Sequence, residues 1–400
     1  MKKFEPLFIG LLLIFLLNPF IACFLSFYLL SKNDKRVNIL CIFICLFIGV
    51  LGFTQNSPNG DISRSYHNME AVIELNSNQV LIYLAATKYL IYATLNLIIS
   101  KLTGNVQYTS LLWCSLIYFF CFQAIINISK YLGHERYKLF NIFMATLFCF
   151  VVFVEAMETI KQALATSMFF YGYSCFLLKR YKRCVIVYLC SLGIHFSPLF
   201  FLPFFFLSYI NLPMTLSVFF ISFAFRAFNL MAFMAPIVGS FGLAAISETA
   251  EGYSEQSYDN FSSNAPYFVG TFILVLGLVV MHLLLMRKEH PVITKSSLIY
   301  VAMLNLNYSN NHNFTRILLY SFPIYILIYM SFLYSHRFIR YKRLALIGIL
   351  STTFFFHYYF SAGRFGTNPN EYQTSFMNNS ILDITTSSLY GYLTYKVPVK

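Results

Sequence analysis

Residues 37–54 read VNILCIFICLFIGVLGFT, an uninterrupted apolar run without a charged side chain. A helix of this length rises about 27 Å, close to the roughly 30 Å hydrocarbon core of a bilayer. The run therefore predicts a transmembrane helix. Runs of this kind are too long for the strands of a membrane β-barrel, which span about ten residues and alternate in polarity. The twelve apolar runs are residues 7–30, 37–54, 79–103, 108–128, 139–157, 160–178, 184–210, 213–236, 266–286, 296–311, 317–335 and 344–360.

The composition of the 400-residue chain excludes a soluble enzyme and a disordered protein. Apolar residues make up 58% of it and charged residues 11%, whereas soluble domains carry about 25% charged residues. The formal net charge is +13, but lysine and arginine gather in the cytoplasmic loops of membrane proteins. We therefore attribute the positive charge to lysines and arginines that orient the chain in the membrane. The expected partner is the lipid bilayer, and no nucleic acid is expected. The nine cysteines lie in or beside apolar runs without a C-x-x-C spacing, which indicates small buried hydrophobic residues.

The distribution of charge predicts which loops face the cytoplasm. Five connectors hold most of the lysines and arginines, and the positive-inside rule places them inside. They are residues 31–36, 129–138, 179–183, 287–295 and 336–343. The loop 237–265 contains no lysine or arginine and is predicted to face outward. The predicted outer segments are loops 55–78, 237–265 and 305–316 and the tail 361–400.

The alternation of sides limits how many runs cross the membrane. Two runs lie between the outer loop 55–78 and the cytoplasmic loop 129–138. Loops on opposite sides of the membrane are joined by an odd number of crossings, so only one of these runs can cross. We therefore predict that 79–103 is interfacial or re-entrant. For the same reason either 184–210 or 213–236 is broken or re-entrant. The candidate breaks are Pro198, Pro203 and Pro213. The predicted fold is an all-α polytopic integral membrane protein with about ten transmembrane helices plus one or two re-entrant or interfacial helices. It forms a single membrane domain over residues 1–400.

The outer loop 55–78 contains the first group of candidate functional residues. A turn signal at residues 58–60 precedes the string DISRSY. A helix that begins at Asp61 would place Asp61 and Arg64 on one face, with Tyr66 close behind. The pattern fits a helix cap with a surface ion pair, and it also fits a ligand site.

The second group is the string EAMETIKQ at residues 155–162, at the outer junction of two predicted membrane helices. Lys161 can pair with Glu158 as a purely structural contact. Four polar groups at a tight hairpin nevertheless exceed what a turn needs. Lys161 and Gln162 are therefore candidate binding residues.

The third group consists of polar residues inside or beside apolar runs. His195 lies within 184–210, where a buried histidine is often a structural hydrogen-bond donor. Arg226 lies in the middle of 213–236, where a charge costs at least about 2.5 kcal/mol on insertion scales, which favours a polar cavity or a partner. Arg316 opens a helix, where a positive charge opposes the helix macrodipole, so a separate reason for its presence is expected.

These cations are predicted to converge. Arg64, Lys161 and Arg316 lie at the outer face and Arg226 in the adjoining membrane. Phosphate groups are bound by arginine forks and lysine charges, so the set suits a lipid carrier with a diphosphate head. The sequence shows no Asp-x-Asp motif and no histidine cluster, and we expect no metal and no cofactor.

Two strings resemble a known family. FTQNSPNGDISRSYHNM resembles the T-x-x-(S/P)…D-x-x-R-Y signature of Wzy-type O-antigen and capsule repeat-unit polymerases and their EpsG-like relatives. The string ETIKQALATSMFFYGYSCFLLKRYKR, followed by LGIHFSPLFFLPF, resembles their R-Q-x-x-A, basic-loop and H-x-S block. Lys161 stands where the family usually has arginine, and Ser65 separates Arg64 from Tyr66.

The resemblance implies a membrane glycosyltransferase of O-antigen (lipopolysaccharide) or capsule biosynthesis. It would be a multi-pass protein of the bacterial inner membrane that joins undecaprenyl-diphosphate-linked repeat units at the periplasmic face. A chain-length regulator is left open as a further partner. The candidate catalytic base is Asp61, with His195 as second choice. The candidates for stabilising the departing diphosphate are Arg64, Lys161, Arg226 and Arg316, and the substrate-contact candidates are Tyr66 and Gln162.

Two other classes of protein fit the same cationic residues. A flippase or transporter of lipid-linked glycan usually shows repeated halves, which the sequence lacks. The other class is a different membrane transferase, either an O-antigen ligase or an O-acyltransferase. A ligase would carry a large outer loop late in the chain, and an acyltransferase would need a catalytic histidine that faces the cytoplasm.

Overall fold

The regular structure of the protein is entirely helical in the part described by the computed structural model. That part comprises residues 6–32, 35–55, 61–134, 138–151, 153–207, 209–227, 240, 261–308, 314, 317–318, 320–335, 339–365 and 381–395. No β-strand occurs among these residues, which confirms the predicted all-α class. The predicted membrane domain of residues 1–400 comprises two compact units. Unit 1 is Met1–Pro198 with Ser361–Lys400, and unit 2 is Leu199–Phe360.

The helices of unit 1 differ widely in length. They are α1 (Pro6–Leu17), α2 (Pro19–Ser31), α3 (Val37–Thr54), α4 (Asp61–Ile73), α5 (Ser77–Ala86), α6 (Leu90–Thr103), α7 (Gln107–Tyr131), α8 (Leu139–Ala145), α9 (Phe153–Glu158), α10 (Ile160–Leu177) and α11 (Tyr181–Ile194). A π-helical turn, Thr146–Phe150, follows α8 directly. A 3₁₀ segment, Ser197–Phe206, leads into unit 2. The remaining helices are α12 (Leu212–Ala224), a 3₁₀ turn (Phe225–Ala227), α13 (Phe261–Met286), α14 (Pro291–Leu306), α15 (Phe322–Tyr334), α16 (Ile339–Phe365), α17 (Ile381–Thr386) and α18 (Leu389–Leu393).

Two of the described helices, α3 and α7, are long and apolar enough to cross a membrane, judged by length and composition. Helix α3 coincides with the run 37–54 from which the fold was predicted. Shorter apolar helices of 10–17 residues make up most of the other runs. The number of ten crossings therefore stays a prediction.

Several apolar runs are broken where the sequence offers a helix start. The run 7–30, expected as one long apolar segment, is two helices, because the Asn18 side chain accepts a hydrogen bond from the Ile21 N–H (3.0 Å) and Pro19 opens α2. Proline lacks the N–H that a continuing helix would use. The run 79–103 divides into α5 and α6, and the run 184–210 breaks at His195, just before Pro198.

The core of unit 1 is built on the contact between α3 and α7, and α7 packs in turn against α10. Gly49 and Gly52 allow the close approach of α3 to α7. A Cβ atom at Gly49 would lie 2.6 Å from the carbonyl oxygen of Leu111, and one at Gly52 would lie 3.2 Å from that of Ser110. Any side chain at Gly49 would therefore push the two helices apart, and one at Gly52 would crowd Cys114, whose Cβ atom would lie 2.9 Å away.

In unit 2, α12 packs against α14. Lys295 of α14 is buried, and its amine donates to the backbone carbonyls of Leu207 and Ile210 (2.9 Å for Ile210). These carbonyls lie between the 3₁₀ segment and α12. Lys295 therefore fixes the chain at the base of α12.

Candidate functional site

A pair of tyrosines at the start of α6 holds the ammonium group of Lys161. Tyr89 is the residue before α6, and Tyr92 lies three positions later on the same side of the helix. The Lys161 Nζ atom lies 5.5 Å from the ring centroid of Tyr89 and 5.5 Å from that of Tyr92. Both distances are within the range of about 6 Å for a cation–π interaction. The positive charge at the start of α10 is thus held against the faces of two aromatic rings.

His195 joins the same cluster from α11. Its imidazole stacks on the ring of Tyr89, with centroids 5.0 Å apart and planes 17° from parallel. The Ser197 N–H donates to the His195 Nδ1 atom (3.1 Å). Because Nδ1 accepts this bond, the neutral imidazole carries its proton on Nε2. In this tautomer the second ring nitrogen of His195 is a hydrogen-bond donor rather than a proton acceptor.

Helix α4 lies beside these tyrosines and begins at Asp61, as the sequence predicted. The Tyr66 hydroxyl is buried and donates to the Ser110 Oγ atom of α7 (2.6 Å). Burial raises the pKa of this hydroxyl, so Tyr66 stays a neutral donor. Ser65 Oγ lies 3.5 Å from the Tyr92 hydroxyl. Tyr66 thus fixes α4 against α7, and it is a structural anchor in addition to a predicted substrate contact.

Three predicted residues cannot be placed atom by atom. The backbones of Asp61 and Arg64 belong to α4, which packs against α6 and α9, but their side chains lie outside the described part of the structure. Arg316 lies outside the described residues altogether. Gln162, the remaining candidate of unit 1, is buried in α10 directly after Lys161.

Arg226 belongs to a different set of contacts, within unit 2. It sits in the 3₁₀ turn that ends α12. Its guanidinium carbon lies 3.7 Å from the ring centroid of Tyr308 and 4.8 Å from that of Phe272. Its Nε atom is buried and has no hydrogen-bond partner among the described residues. Phe314, which precedes Arg316 by two positions in the chain, packs against both rings at 5.1 Å (Tyr308) and 6.0 Å (Phe272).

The structure therefore groups the predicted residues into two centres. The Lys161 centre comprises Lys161, Tyr89, Tyr92 and His195 in unit 1, with α4 alongside. The Arg226 centre comprises Arg226, Phe272 and Tyr308 in unit 2. Each centre is built within one unit and combines a cation with two aromatic rings.

The sequence analysis missed the aromatic partners of both cations. Tyr89 and Tyr92 lie three residues apart, directly after Lys88. Tyrosines beside a lysine are also typical of the aromatic belt at a membrane interface. Trp113, the single tryptophan of the chain, stacks on Tyr92 at 5.3 Å and donates to the Asn96 Oδ1 atom. In a chain with 46 phenylalanines and 30 tyrosines, sequence alone gives no means of singling out these rings.

The apolar composition of the chain and the helical structure of its described residues are those of an integral membrane protein. The chain belongs to the EpsG family, whose family model matches residues 37–374 and includes both centres. The family assigns the protein to polysaccharide biosynthesis at a membrane, and it confirms the resemblance found in the sequence. No curated protein and no solved structure matches the chain significantly.

Proposed function

We propose that the protein is a polysaccharide polymerase that joins undecaprenyl-diphosphate-linked oligosaccharide repeat units at the periplasmic face of the bacterial inner membrane. The single observation that carries the proposal is the Lys161 centre: an ammonium group held over Tyr89 and Tyr92, beside an imidazole N–H donor. This arrangement suits a phosphate-bearing ligand with sugar rings attached.

The reaction transfers a glycan from one lipid diphosphate to another lipid-linked repeat unit. A hydroxyl oxygen on the terminal sugar of the acceptor attacks C1 of the donor glycan. The bond between C1 and the diphosphate oxygen breaks, and undecaprenyl diphosphate leaves with the bonding electrons. The hydroxyl proton passes to a base and then to solvent or the leaving diphosphate. No oxidant or further reactant is needed.

Lys161 is assigned to the leaving diphosphate. Negative charge grows on the bridging oxygen as the bond to C1 breaks, and a fixed positive charge stabilises it more in the transition state than in the ground state. The tyrosine rings limit the positions open to the flexible lysine chain. The charge is therefore in place before the bond breaks.

The hydrogen bond from Ser197 to His195 supports different roles for the two catalytic candidates, Asp61 and His195. Since Nδ1 of His195 already accepts that bond, His195 is assigned as an Nε2–H donor to the diphosphate or to a sugar hydroxyl. Asp61, at the start of α4, is then assigned as the base. Arg64, one turn later, is assigned to the same diphosphate.

The test of this function is the surface glycan of a strain without this gene, complemented by the wild type or by variants. A polymerase defect leaves a single repeat unit on the lipid core, and complementation restores the ladder of longer chains. Loss of every repeat unit from the deletion strain would contradict the polymerase and indicate a flippase or ligase.

The side of the membrane is tested by single cysteines in a cysteine-free background. Positions 60 and 255 are expected to react with an impermeant thiol reagent added outside, whereas positions 181 and 340 should react only after permeabilisation. Labelling of position 181 from outside would overturn the periplasmic placement.

A further inference from the structure

We infer that the Arg226 centre binds the diphosphate of the acceptor, the lipid-linked repeat unit that receives the glycan. The inference rests on the proposed function, because a polymerase must hold two lipid-linked diphosphates during one transfer. The Lys161 centre takes the diphosphate that leaves, and the Arg226 centre takes the one that stays attached.

The contact with Tyr308 leaves the N–H edge of the Arg226 guanidinium in a position to bind an anion. A guanidinium carbon 3.7 Å from the Tyr308 ring centroid is in stacking contact with that ring. The N–H groups of a stacked guanidinium project from its edge, where they can bind two phosphate oxygens at once. Nε is already withdrawn from solvent and lacks a hydrogen-bond partner within the described residues. A diphosphate oxygen would supply that partner.

Two amide oxygens at the end of α14 add acceptors to the same region. Asn305 Nδ2 donates to Ser222 Oγ (2.8 Å), one helical turn before Arg226 in the chain. Asn307 Nδ2 donates to the Met303 carbonyl (2.9 Å). The Oδ1 atoms of both asparagines are buried without a partner in the described structure. Amide oxygens accept hydrogen bonds from hydroxyls, so they suit the sugar that adjoins a bound diphosphate.

The surroundings of Arg226 favour binding over bond cleavage. Arg226 lies against the ring faces of Phe272 and Tyr308, and neither a carboxylate nor a histidine forms an ion pair with it among the described residues. The acceptor needs no such group at its diphosphate, because its reacting hydroxyl is on the terminal sugar, at the opposite end of the repeat unit. The donor does need one, and His195 lies in the Lys161 centre.

The first test counts bound lipids. Purified full-length protein is titrated with undecaprenyl diphosphate and examined by native mass spectrometry, with undecaprenol as the control for binding through the tail alone. The wild type is expected to bind two molecules, Arg226→Ala one, Lys161→Ala one and the double variant none. A wild type that saturates at one molecule, or Arg226→Ala that still binds two, would overturn the inference.

The single tryptophan identifies which site is lost. Trp113 stacks on Tyr92 of the Lys161 centre, so its fluorescence should report occupation of that centre. We expect the fluorescence response to undecaprenyl diphosphate to persist in Arg226→Ala and to disappear in Lys161→Ala. Should Arg226→Ala fail to fold, Tyr308→Leu serves in its place, with about tenfold weaker binding of the second molecule as the stacking contact is lost. Unchanged binding of that molecule would equally contradict the inference.

The second test separates this inference from the proposed function. Lipid-linked repeat units from the deletion strain act as donor, and two acceptors are compared: the same lipid-linked unit, and labelled free oligosaccharide released from it by mild acid. Two rates are measured for each variant, one with the lipid-linked acceptor and one with the free acceptor. Arg226→Ala should lower the first rate relative to the second about tenfold. Lys161→Ala should lower both rates and leave their ratio unchanged. No elongation by the wild type contradicts the polymerase function itself. Elongation by the wild type with an unaltered ratio in Arg226→Ala contradicts the acceptor assignment alone.

Discussion

The Lys161 centre and the Arg226 centre contain similar groups, yet they differ in what surrounds the charge. Lys161 shares the Tyr89 ring with an imidazole, and α4 with Asp61 packs against the helix that carries this ring. Arg226 contacts the rings of Phe272 and Tyr308. The first centre therefore combines a charge with an imidazole, a side chain that can take part in proton transfer. The second combines a charge with a flat stacking surface.

A pair of aromatic rings places different demands on the two kinds of cation. An ammonium group is a compact charge that needs only proximity to a ring face, whereas a guanidinium is planar and stacks. The lysine can therefore be exchanged for another cation more easily than the arginine.

The largest effect is expected from removing the charge of Lys161. Lys161→Ala should lower polymer formation by about 100- to 1,000-fold, the range for losing a preorganised electrostatic group. Lys161→Arg should retain it, because the role requires a positive charge. The glycan ladder and the amount of protein in the membrane are measured together.

Lys101→Ala is the matched control for this prediction. Lys101 is an exposed lysine of α6 that donates to the Leu75 carbonyl, and its loss should leave the ladder unchanged. A well-expressed Lys161→Ala with a full ladder would instead limit Lys161 to a surface contact with Glu158, worth at most about 1 kcal/mol.

The reciprocal exchange, Arg226→Lys, should be harmful. It keeps the charge but loses the planar stack on Tyr308 and the two-pronged edge, and we expect about a tenfold lower rate with lipid-linked acceptor, equivalent to roughly 1.4 kcal/mol. Initial rates with purified protein measure this. If Arg226→Lys were as active as Lys161→Arg, the two centres would not differ in the way described.

A smaller effect is expected from the ring of Tyr89. Tyr89→Leu removes one cation–π contact of Lys161 and the stacking of His195, which should lower the rate about 3- to 8-fold if the two contacts together contribute about 0.7–1.2 kcal/mol. Tyr89→Phe keeps the ring face and should stay within about twofold of the wild type. Equal losses in both variants would assign the role to the hydroxyl group.

The smallest change in rate is expected from Tyr66. Tyr66→Phe leaves the Ser110 hydroxyl without its donor and should lower the stability of unit 1 by about 1 kcal/mol, measured as thermal unfolding in detergent. Ser110→Ala, which removes the other partner, should have a similar cost. A large loss of activity in Tyr66→Phe at normal stability would instead support the predicted contact with substrate.

Much of the fold follows from patterns of apolar and charged residues. The run 37–54 became α3 residue for residue, and the helix expected to begin at Asp61, after the turn signal in the sequence, does begin there. Breaks inside apolar runs were harder to locate, because a proline such as Pro19 can open a helix as readily as end one. The sequence also offers no measure of which aromatic rings a cation will meet. Tyr89 and Tyr308 acquire their roles only through packing between helices that are distant in the chain.

Prediction of the site was limited in the same way, because contacts between helices that are distant in the chain cannot be read from the sequence. Lys161 was selected because four polar groups at a tight hairpin exceed what a turn needs, and His195 because it lies inside an apolar run. The structure brings both to the Tyr89 ring. That Nδ1 of His195 is occupied depends on the turn at Ser197, which no residue pattern encodes. Whether a histidine acts as donor or base is therefore decided by local backbone geometry.

The close contact of α3 and α7 at Gly49 and Gly52 also bears on how the chain assembles during synthesis. Lipid tails are as apolar as the helices, so inserted helices associate through close backbone approach at small residues. We expect these two helices, the long apolar ones of the described structure, to pair at the glycines once both are inserted. Ser110 of α7 then receives Tyr66 of α4. This helix pair would thus set the depth at which Asp61 and Arg64 come to rest.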